Sequence, residues 1–381
     1  MNRHPVMETA GALVTIPPGA TLGILGGGQL GRMTALAAAC LGYKTHVFTP
    51  EADSPCAQVA AAATVAAYDD QEALARFAAQ VDVVTLEWEN IPVDSLAFLA
   101  TLAPVHPGAS VLAVAQDRTA EKAFANRLGV ATAPWRAVRS PEEVAAARAE
   151  LGAPCVLKTA RMGYDGKGQT TLQADTDPAQ AWAAVAGKAV GGLAILEGFV
   201  PFEREISVIV ARRADGVSAT FPVAENIHRH HILDRTRIPA AIAPAVAGQA
   251  TAIAGRLAEA LGVVGLLTVE MFVTPQETIL VNELAPRPHN SGHWTLDACA
   301  TSQFAQLVRA VCGLPLGSVA CSAAPVEMEN LIGDAVERWP VLLADPDARV
   351  HLYGKQEARP GRKMGHVTWI RQSSSLVSES D

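Results

Sequence analysis

The chain has 381 residues, half of them hydrophobic and 18% charged: enough for two or three domains, and too apolar for a disordered chain. Its net charge of −8 argues against a duplex-coating protein, so no nucleic-acid partner is expected. Cys40, Cys56, Cys155, Cys299, Cys312 and Cys321 form no Cys-x-x-Cys and no zinc spacing. They read as scattered small core residues in a reducing compartment. No run approaches the roughly 18 uninterrupted apolar residues of a membrane helix, so no membrane association is expected. Met1–Ala20, with Pro5, Pro17 and Pro18, reads as a loose extension and not as a signal peptide. The expectation is a soluble cytoplasmic protein.

The predicted elements begin with a strand over Thr21–Leu25, broken by Gly26-Gly27-Gly28. A helix over Gln29–Cys40, a strand over Lys44–Thr49, a helix over Gln71–Gln80 and a strand over Val81–Leu86 follow. Strand–helix alternation with short links implies a parallel, doubly wound sheet. Asp117–Leu128 and Glu142–Leu151 read as helices with ordinary start and stop signals. Strands are predicted over Cys155–Lys158, Gln169–Leu172, Ala194–Leu196, Glu205–Val210, Leu266–Phe272 and Thr278–Asn282. Their less regular alternation with helices suggests a second domain with antiparallel sheet. The C-terminal part carries short strands at His351–Tyr353 and His366–Ile370 and a Ser-rich end.

Three segments carry chemistry. Gly26–Gly31 satisfies G-x-G-x-x-G between a strand and a helix, a place where backbone N–H groups meet an anion. Glu51 and Asp53 stand near the end of the next strand, where a dinucleotide fold keeps its ribose acid. On residues alone, the loop suits a dinucleotide, another phosphate-bearing ligand, or close packing of helix on sheet. The second segment, Lys158–Gln169, holds three glycines with Lys158, Arg161 and Lys167 between two strands. It suits a lid over polyphosphate, but is not a P-loop, and a plain polar hairpin loop is the alternative. In the third, Glu270 and Glu283 end two strands joined by a turn, which would bring both acids to one end of a hairpin. Hard oxygen ligands of that kind suit Mg²⁺ bridging protein to phosphates; a solvated hairpin end is the alternative. Arg287, His289, Asn290 and His293 follow at once.

Together, lysine strand, glycine lid and late carboxylates resemble the ATP-grasp ligases. GGGQLGRM (26–33), QDRTAEKAF (116–124), KTARMGYDGKGQ (158–169), NELAPRPHNSGHWT (282–295) and HLYGK…GRKMGH (351–366) resemble the N5-carboxyaminoimidazole ribonucleotide synthetase family. The likeness spans about residues 20–370. It implies an α/β and α+β chain in parts: an extension (1–20), a Rossmann-like pre-ATP-grasp domain (21–120), an ATP-grasp domain (121–310), a small C-terminal β domain (311–372) and a flexible tail (373–381).

The resemblance also implies roles. Arg118 and Lys158 contact ATP phosphates, and Gly163, Tyr164, Asp165, Gly166, Lys167, Gly168 and Gln169 form the lid. Glu197, Gly198, Phe199 and Val200 meet adenine, Glu205 the ribose, and His228 another part of the nucleotide. Asn282 and Glu283 lie at the phosphate end, with Glu270 and Glu283 as ligands of Mg²⁺, or of Mn²⁺ in its place. The glycine loop (Gly28, Gln29, Leu30) faces the ribonucleotide and not a dinucleotide. Tyr164, Asp165, Asn290, Lys355 and Arg362 contact the same substrate, the last two at its 5′-phosphate. Catalysis falls to Asp165 as base or orienter, Arg287 on the carboxyphosphate oxygens, and Lys355. The partners implied are ATP, bicarbonate, aminoimidazole ribonucleotide and a second copy of the chain. Formate-dependent glycinamide ribonucleotide transformylase and biotin carboxylase are the nearest rivals; the GYDGKGQ and RKMGH segments argue against both. A dinucleotide oxidoreductase would leave the lid and carboxylates unexplained. A catalytically silent nucleotide-binding subunit is the third rival. The His- and Arg-rich stretch 225–235 lacks cysteine and metal-ligand spacing, which weighs against zinc.

Overall fold

A computed structural model describes residues 14–163 and 166–371. The lid residues Tyr164 and Asp165, most of the N-terminal extension and the C-terminal tail lie outside the described residues. The chain opens with β1 (Thr21–Leu25), α1 (Gln29–Cys40), β2 (Lys44–Thr49), β3 (Ala62–Val65), α2 (Gln71–Ala78) and β4 (Val83–Leu86). The strands form a parallel sheet in the order β3-β2-β1-β4. Leu22, Ile24, Val47, Phe48, Val84 and Leu86 are buried in it, since helices cover both faces of such a sheet. Asp70 caps α2 by accepting from the Ala73 N–H at 2.9 Å. Two more helices, α3 (Val93–Ala100) and α4 (Ala109–Ala115), lead out of this region.

α5 (Arg118–Arg127) starts on the Asp117 cap, whose carboxylate accepts from Thr119 and Ala120. Next come β5 (Trp135–Val138), α6 (Pro141–Leu151), β6 (Cys155–Thr159), β7 (Gln169–Leu172), α7 (Pro178–Ala186) and β8 (Ala194–Gly198). Their strands make a small antiparallel sheet, β5-β8-β6-β7, backed by Val144, Leu157, Leu172, Ala181 and Leu196.

A nine-stranded sheet occupies the rest. It contains β9 (Arg204–Arg212), β10 (Ser218–Thr220), β11 (Ala224–Arg229) and β12 (Ile232–Ile238). After α8 (Pro244–Ala260) it adds β13 (Gly265–Val273) and β14 (Ile279–Ala285). The short α9 (Thr295–Ala298) and α10 (Gln303–Val311) intervene. β15 (Val326–Ile332), α11 (Trp339–Ala344), β16 (Arg349–Leu352) and β17 (Lys363–Ile370) complete the chain. The order is β14-β13-β9-β11-β12-β15-β17-β16, with β10 paired to β9. The C-terminal strands thus join the large sheet through β12 and β15.

Two expectations need correction. Cys299 and Cys321 are not isolated residues: they form a disulfide across an antiparallel bridge. The hydrogen bonds Ala300 N–Ala320 O (2.9 Å) and Ser322 N–Ala298 O (2.7 Å) flank them and set that register. Cys40 is exposed, while Cys56, Cys155 and Cys312 are buried and free. Second, β14 runs on to Ala285, so Glu283 sits inside the strand. It faces Glu270 in register across the hairpin, away from its turn.

Gly26 has φ +107°, and a Cβ there would lie 2.6 Å from the Glu87 carboxylate. Gly26→Ala should therefore cost about 1–3 kcal/mol, while Gly248→Ala, exposed within α8 with open space around it, should gain about 0.5–1 kcal/mol. Denaturant midpoints of the two variants check this; equal midpoints would show that the loop tolerates a side chain.

Candidate active site

The glycine loop meets an acceptor, and that acceptor belongs to the protein. The Glu87 carboxylate, just past β4, accepts from the N–H of Gly28 at 2.8 Å and of Gly31 at 3.3 Å. Burial pushes this carboxyl up, against the pull of those donors and of Arg287 and Lys355. Gly27 is pressed against Ser54 and Thr49, where a Cβ would come within 2.4 Å. Gln29 and Leu30, in the first turn of α1, have no intrahelical partner for their N–H groups. Asp53 is engaged by Gln58 (3.4 Å) and by Gln356 from the C-terminal region.

A buried ion cluster lies on the other side. Arg118 and Lys122 stand one turn apart on α5 and point the same way. Lys122 reaches Glu197 Oε1 at 3.3 Å, and Lys158 reaches Oε2 at 2.9 Å. Burial alone would raise the Glu197 carboxyl, but Lys158 and Lys122 outweigh it and hold it at about 2. Burial pushes Lys158 down, though Glu197 opposes this. Arg118 Nη1 bonds Glu283 Oε2 at 3.1 Å, and Nη2 donates to the Gly163 carbonyl at 3.3 Å. The glycine-dense loop is thus tied at its start to Arg118, which also holds Glu283. Gly166 and Gly168 take positive φ, and a Cβ on Gly166 would strike His231 at 2.6 Å. Lys158 and Gln169 are cross-strand partners at the lid's two ends. Lys167 lies between these lid glycines.

At the adenine-assigned segment, the Gly198 and Phe199 N–H groups are committed to Pro134 O (2.8 Å) and Pro154 O (3.2 Å). Phe199 is 52% exposed, whereas Val200 is buried. Glu205 pairs with His228 Nδ1 at 3.2 Å. Burial would lower that imidazole, but Glu205 outweighs it and the net shift is upward.

Glu270 and Glu283 oppose each other on β13 and β14. Burial first and the Glu283 charge second raise Glu270 to about 7, while His289 Nε2 lies 3.2 Å from it. Glu283 goes the other way: burial raises it, yet Arg118 pulls it down further. Two facing, part-buried carboxylates, of which Arg118 pairs with Glu283, form an oxygen set that fits a divalent ion. The side-chain oxygen of Asn282 and both polar atoms of Asn290 are buried without a protein partner.

Arg287 links the two halves. Its charge is felt by Glu283 and Glu270 on one side and by Glu87 on the other. It forms a two-point pair with Glu89, Nε to Oε2 at 2.9 Å and Nη2 to Oε1 at 2.8 Å. Lys355 Nζ donates to the Lys363 carbonyl at 2.7 Å and sits 5.7 Å from the centre of the Tyr353 ring. Burial, with Arg362 and Lys363 nearby, lowers it to about 8. Arg362 donates to the Glu357 carbonyl at 2.9 Å. Lys355, Arg362 and Lys363 therefore make a cationic group beside Glu87 and the start of α1.

Sequence reasoning missed Glu87, Glu89, Glu121 and Lys122. Glu87 and Glu89 follow the carboxyl end of β4, where open α/β sheets bind ligands. Glu121, which accepts from the Leu284 N–H, and Lys122 fall three and four residues after Arg118 on one helical face. Those two positional rules could have found them.

Family models match the chain along most of its length. A ribonucleotide synthetase preATP-grasp domain matches residues 19–116, an ATP-grasp domain 123–304, and a phosphoribosylaminoimidazole carboxylase C-terminal domain 327–380. The N5-carboxyaminoimidazole ribonucleotide synthase of Brucella melitensis is 52% identical over 359 residues, covering 94% of this chain and 98% of its own. The ADP complex of an N5-carboxyaminoimidazole ribonucleotide synthetase superposes with a TM-score of 0.89 at 47% identity, covering 94% of each chain. The Aspergillus clavatus enzyme, crystallised with ADP and 5-aminoimidazole ribonucleotide, gives 0.85 at 30% identity, covering 92% of this chain and 94% of that one. With relatives this similar over nearly their whole length, the chain belongs to the N5-carboxyaminoimidazole ribonucleotide synthase family of ATP-grasp ligases.

Proposed function

We propose that the protein carboxylates the exocyclic amine of 5-aminoimidazole ribonucleotide with ATP and bicarbonate, in purine biosynthesis. The observation that carries this reading is the position of Arg287. Its charge is felt by Glu270 and Glu283, which this reading assigns with Arg118 and Lys158 to ATP, and by Glu87, which lies beside the Lys355 and Arg362 that it assigns to the ribonucleotide. A carboxyl group activated beside the first group would have to reach an amine held beside the second.

Bicarbonate attacks the γ-phosphorus of ATP, giving carboxyphosphate and ADP. The amine then takes the carboxyl carbon, phosphate leaves, and the amine's proton passes to a base. Arg118 and Lys158 hold phosphate oxygens, and Arg287 holds the carboxyl oxygens as charge builds. Asp165 of the lid is the proposed base or orienter. Glu270 and Glu283 would hold Mg²⁺, or Mn²⁺, which when bound neutralises charge on the β- and γ-phosphates. Lid closure excludes water from an anhydride that water destroys. A homodimer in the cytoplasm belongs to the same reading, on the strength of the family likeness. The oxidoreductase reading loses its ground because Glu87 already takes the N–H groups of Gly28 and Gly31.

The direct test is phosphate release from MgATP with the ribonucleotide and bicarbonate added singly and together. Release that needs both, with a bicarbonate-derived carbamate as product, is expected. Release indifferent to the ribonucleotide would send the search to other ATP-grasp substrates.

Glu270→Gln should raise the Mg²⁺ concentration for half-maximal activity by about 10-fold or more, judged by what single metal-site changes cost elsewhere. An unchanged Mg²⁺ requirement would remove Glu270 from the metal. Lys355, lowered to about 8, loses its cation as pH rises through that value. Consequently kcat/KM for the ribonucleotide should fall above about pH 8, because that ratio reports the free enzyme. Lys355→Arg, which stays charged, should flatten the alkaline limb; an unaltered limb would assign it to another group.

A further inference from the structure

We propose that Glu89 is a positioning residue for Arg287, clamping one edge of the guanidinium so that the other edge is presented to bicarbonate. The inference rests on the carboxylation reading above. Glu89 lies in the loop that leaves β4, and Arg287 in the loop that leaves β14, 198 residues on. Their pair is the side-on fork: Nε and Nη2 each give one hydrogen to one carboxylate oxygen, at 2.9 and 2.8 Å. Both side chains are largely buried, Arg287 at 13% and Glu89 at 16% exposure. Two parallel hydrogen bonds in a plane fix the ring's tilt as well as its place, which one ion contact would not.

Donor arithmetic shows what remains. A guanidinium has five N–H groups. Glu89 takes two, and the Pro288 carbonyl takes one from Nη1 at 3.1 Å. Two are left among the described residues, one on each terminal nitrogen. A planar carboxyl group is the natural partner for such a guanidinium edge, and bicarbonate and carboxyphosphate both carry one. Burial works against the Arg287 cation, and Glu89 is the first group that offsets it. Glu89 is itself fixed at the backbone: Gln116 Nε2 donates to its carbonyl at 2.7 Å and to the Ile91 carbonyl at 2.6 Å. Gln116 Oε1 in turn accepts from Arg161 at the start of the lid loop. The clamp therefore runs from the parallel-sheet region to the large sheet, with the lid loop attached to its anchor.

The test is steady-state kinetics on the full chain, varying bicarbonate, ATP and the ribonucleotide separately for wild type, Glu89→Gln, Glu89→Ala and Glu89→Asp. Glu89→Gln keeps the volume but turns one of its two acceptors into a donor facing a donor. For Gln and Ala, KM for bicarbonate should rise at least 10-fold while KM for ATP stays within 2-fold. Glu89→Asp should recover part of the loss, since it restores the charge on a shorter arm. A bicarbonate KM unchanged in Glu89→Gln would overturn the proposal. So would KM values for ATP and bicarbonate rising together, which mark a general loss of structure. Wild type with no bicarbonate-dependent turnover would instead sink the carboxylation reading, and this proposal with it.

Discussion

An ionised carboxylate taken out of water needs a cation or a set of N–H donors, or it will not stay ionised. This chain buries several, and meeting that demand joins its parts. Glu87 of the parallel-sheet region is met by Gly28 and Gly31. Glu89, from the same region, is met by Arg287 of the large sheet. Glu197 of the small sheet is met by Lys122 of α5 and Lys158 of β6. Glu283 of the large sheet is met by Arg118, again from α5. Each pair spans tens to hundreds of residues, so the three sheets are registered against one another by charge as well as by apolar contact. Breaking one partner leaves the other buried and alone, a loss of several kcal/mol in typical cases.

The same demand is left partly unmet inside the cluster. Glu270 is a carboxylate whose needs are poorly met: burial and the facing Glu283 push it up to about 7, with His289 as its near neighbour. Asn282 and Asn290 add orphaned polar atoms close in sequence to Glu283 and Arg287. Fully paired groups such as Glu197 make scaffold, and underpaired ones make a place where an ion or a ligand gains free energy on arrival. The division falls along the hairpin of β13 and β14, with Glu283 shared between both roles.

Much of the fold was legible because the signals were local. The strand–glycine–helix opening gave β1 and α1 to the residue, and Asp117 ahead of a charged helix gave α5. Cross-chain pairing was not legible. Nothing near Glu89 announces Arg287, and nothing near Cys299 announces Cys321, because each pair is made by how separate segments of the chain pack together. The predicted strand stops at Asn282, where the residues turn polar, yet Glu283, Leu284 and Ala285 go on to pair with Glu270, Val269 and Thr268 of β13, and a partnered strand overrides the polarity of two residues. The residues singled out from sequence were those inside compact motifs, such as Lys158 and the glycines at 163, 166 and 168. Those overlooked were single acids and lysines whose meaning comes from the partner.

The glycine loop carries that lesson furthest. G-x-G-x-x-G tells of backbone N–H groups brought close to an acceptor at the start of a helix, and at Gly28 and Gly31 that acceptor is Glu87. The motif does not say whose charge it is. Here an internal carboxylate takes the Gly28 and Gly31 N–H groups, and Cβ atoms at Gly26 and Gly28 would strike it. A dinucleotide pyrophosphate and Glu87 cannot both occupy that position. The N–H groups of Gln29 and Leu30 are not the ones Glu87 takes, and Lys355, with Arg362 nearby, lies close enough to Glu87 to feel its charge. One acid, some sixty residues away in sequence, thus takes two of the N–H groups that the motif alone would offer to a ligand.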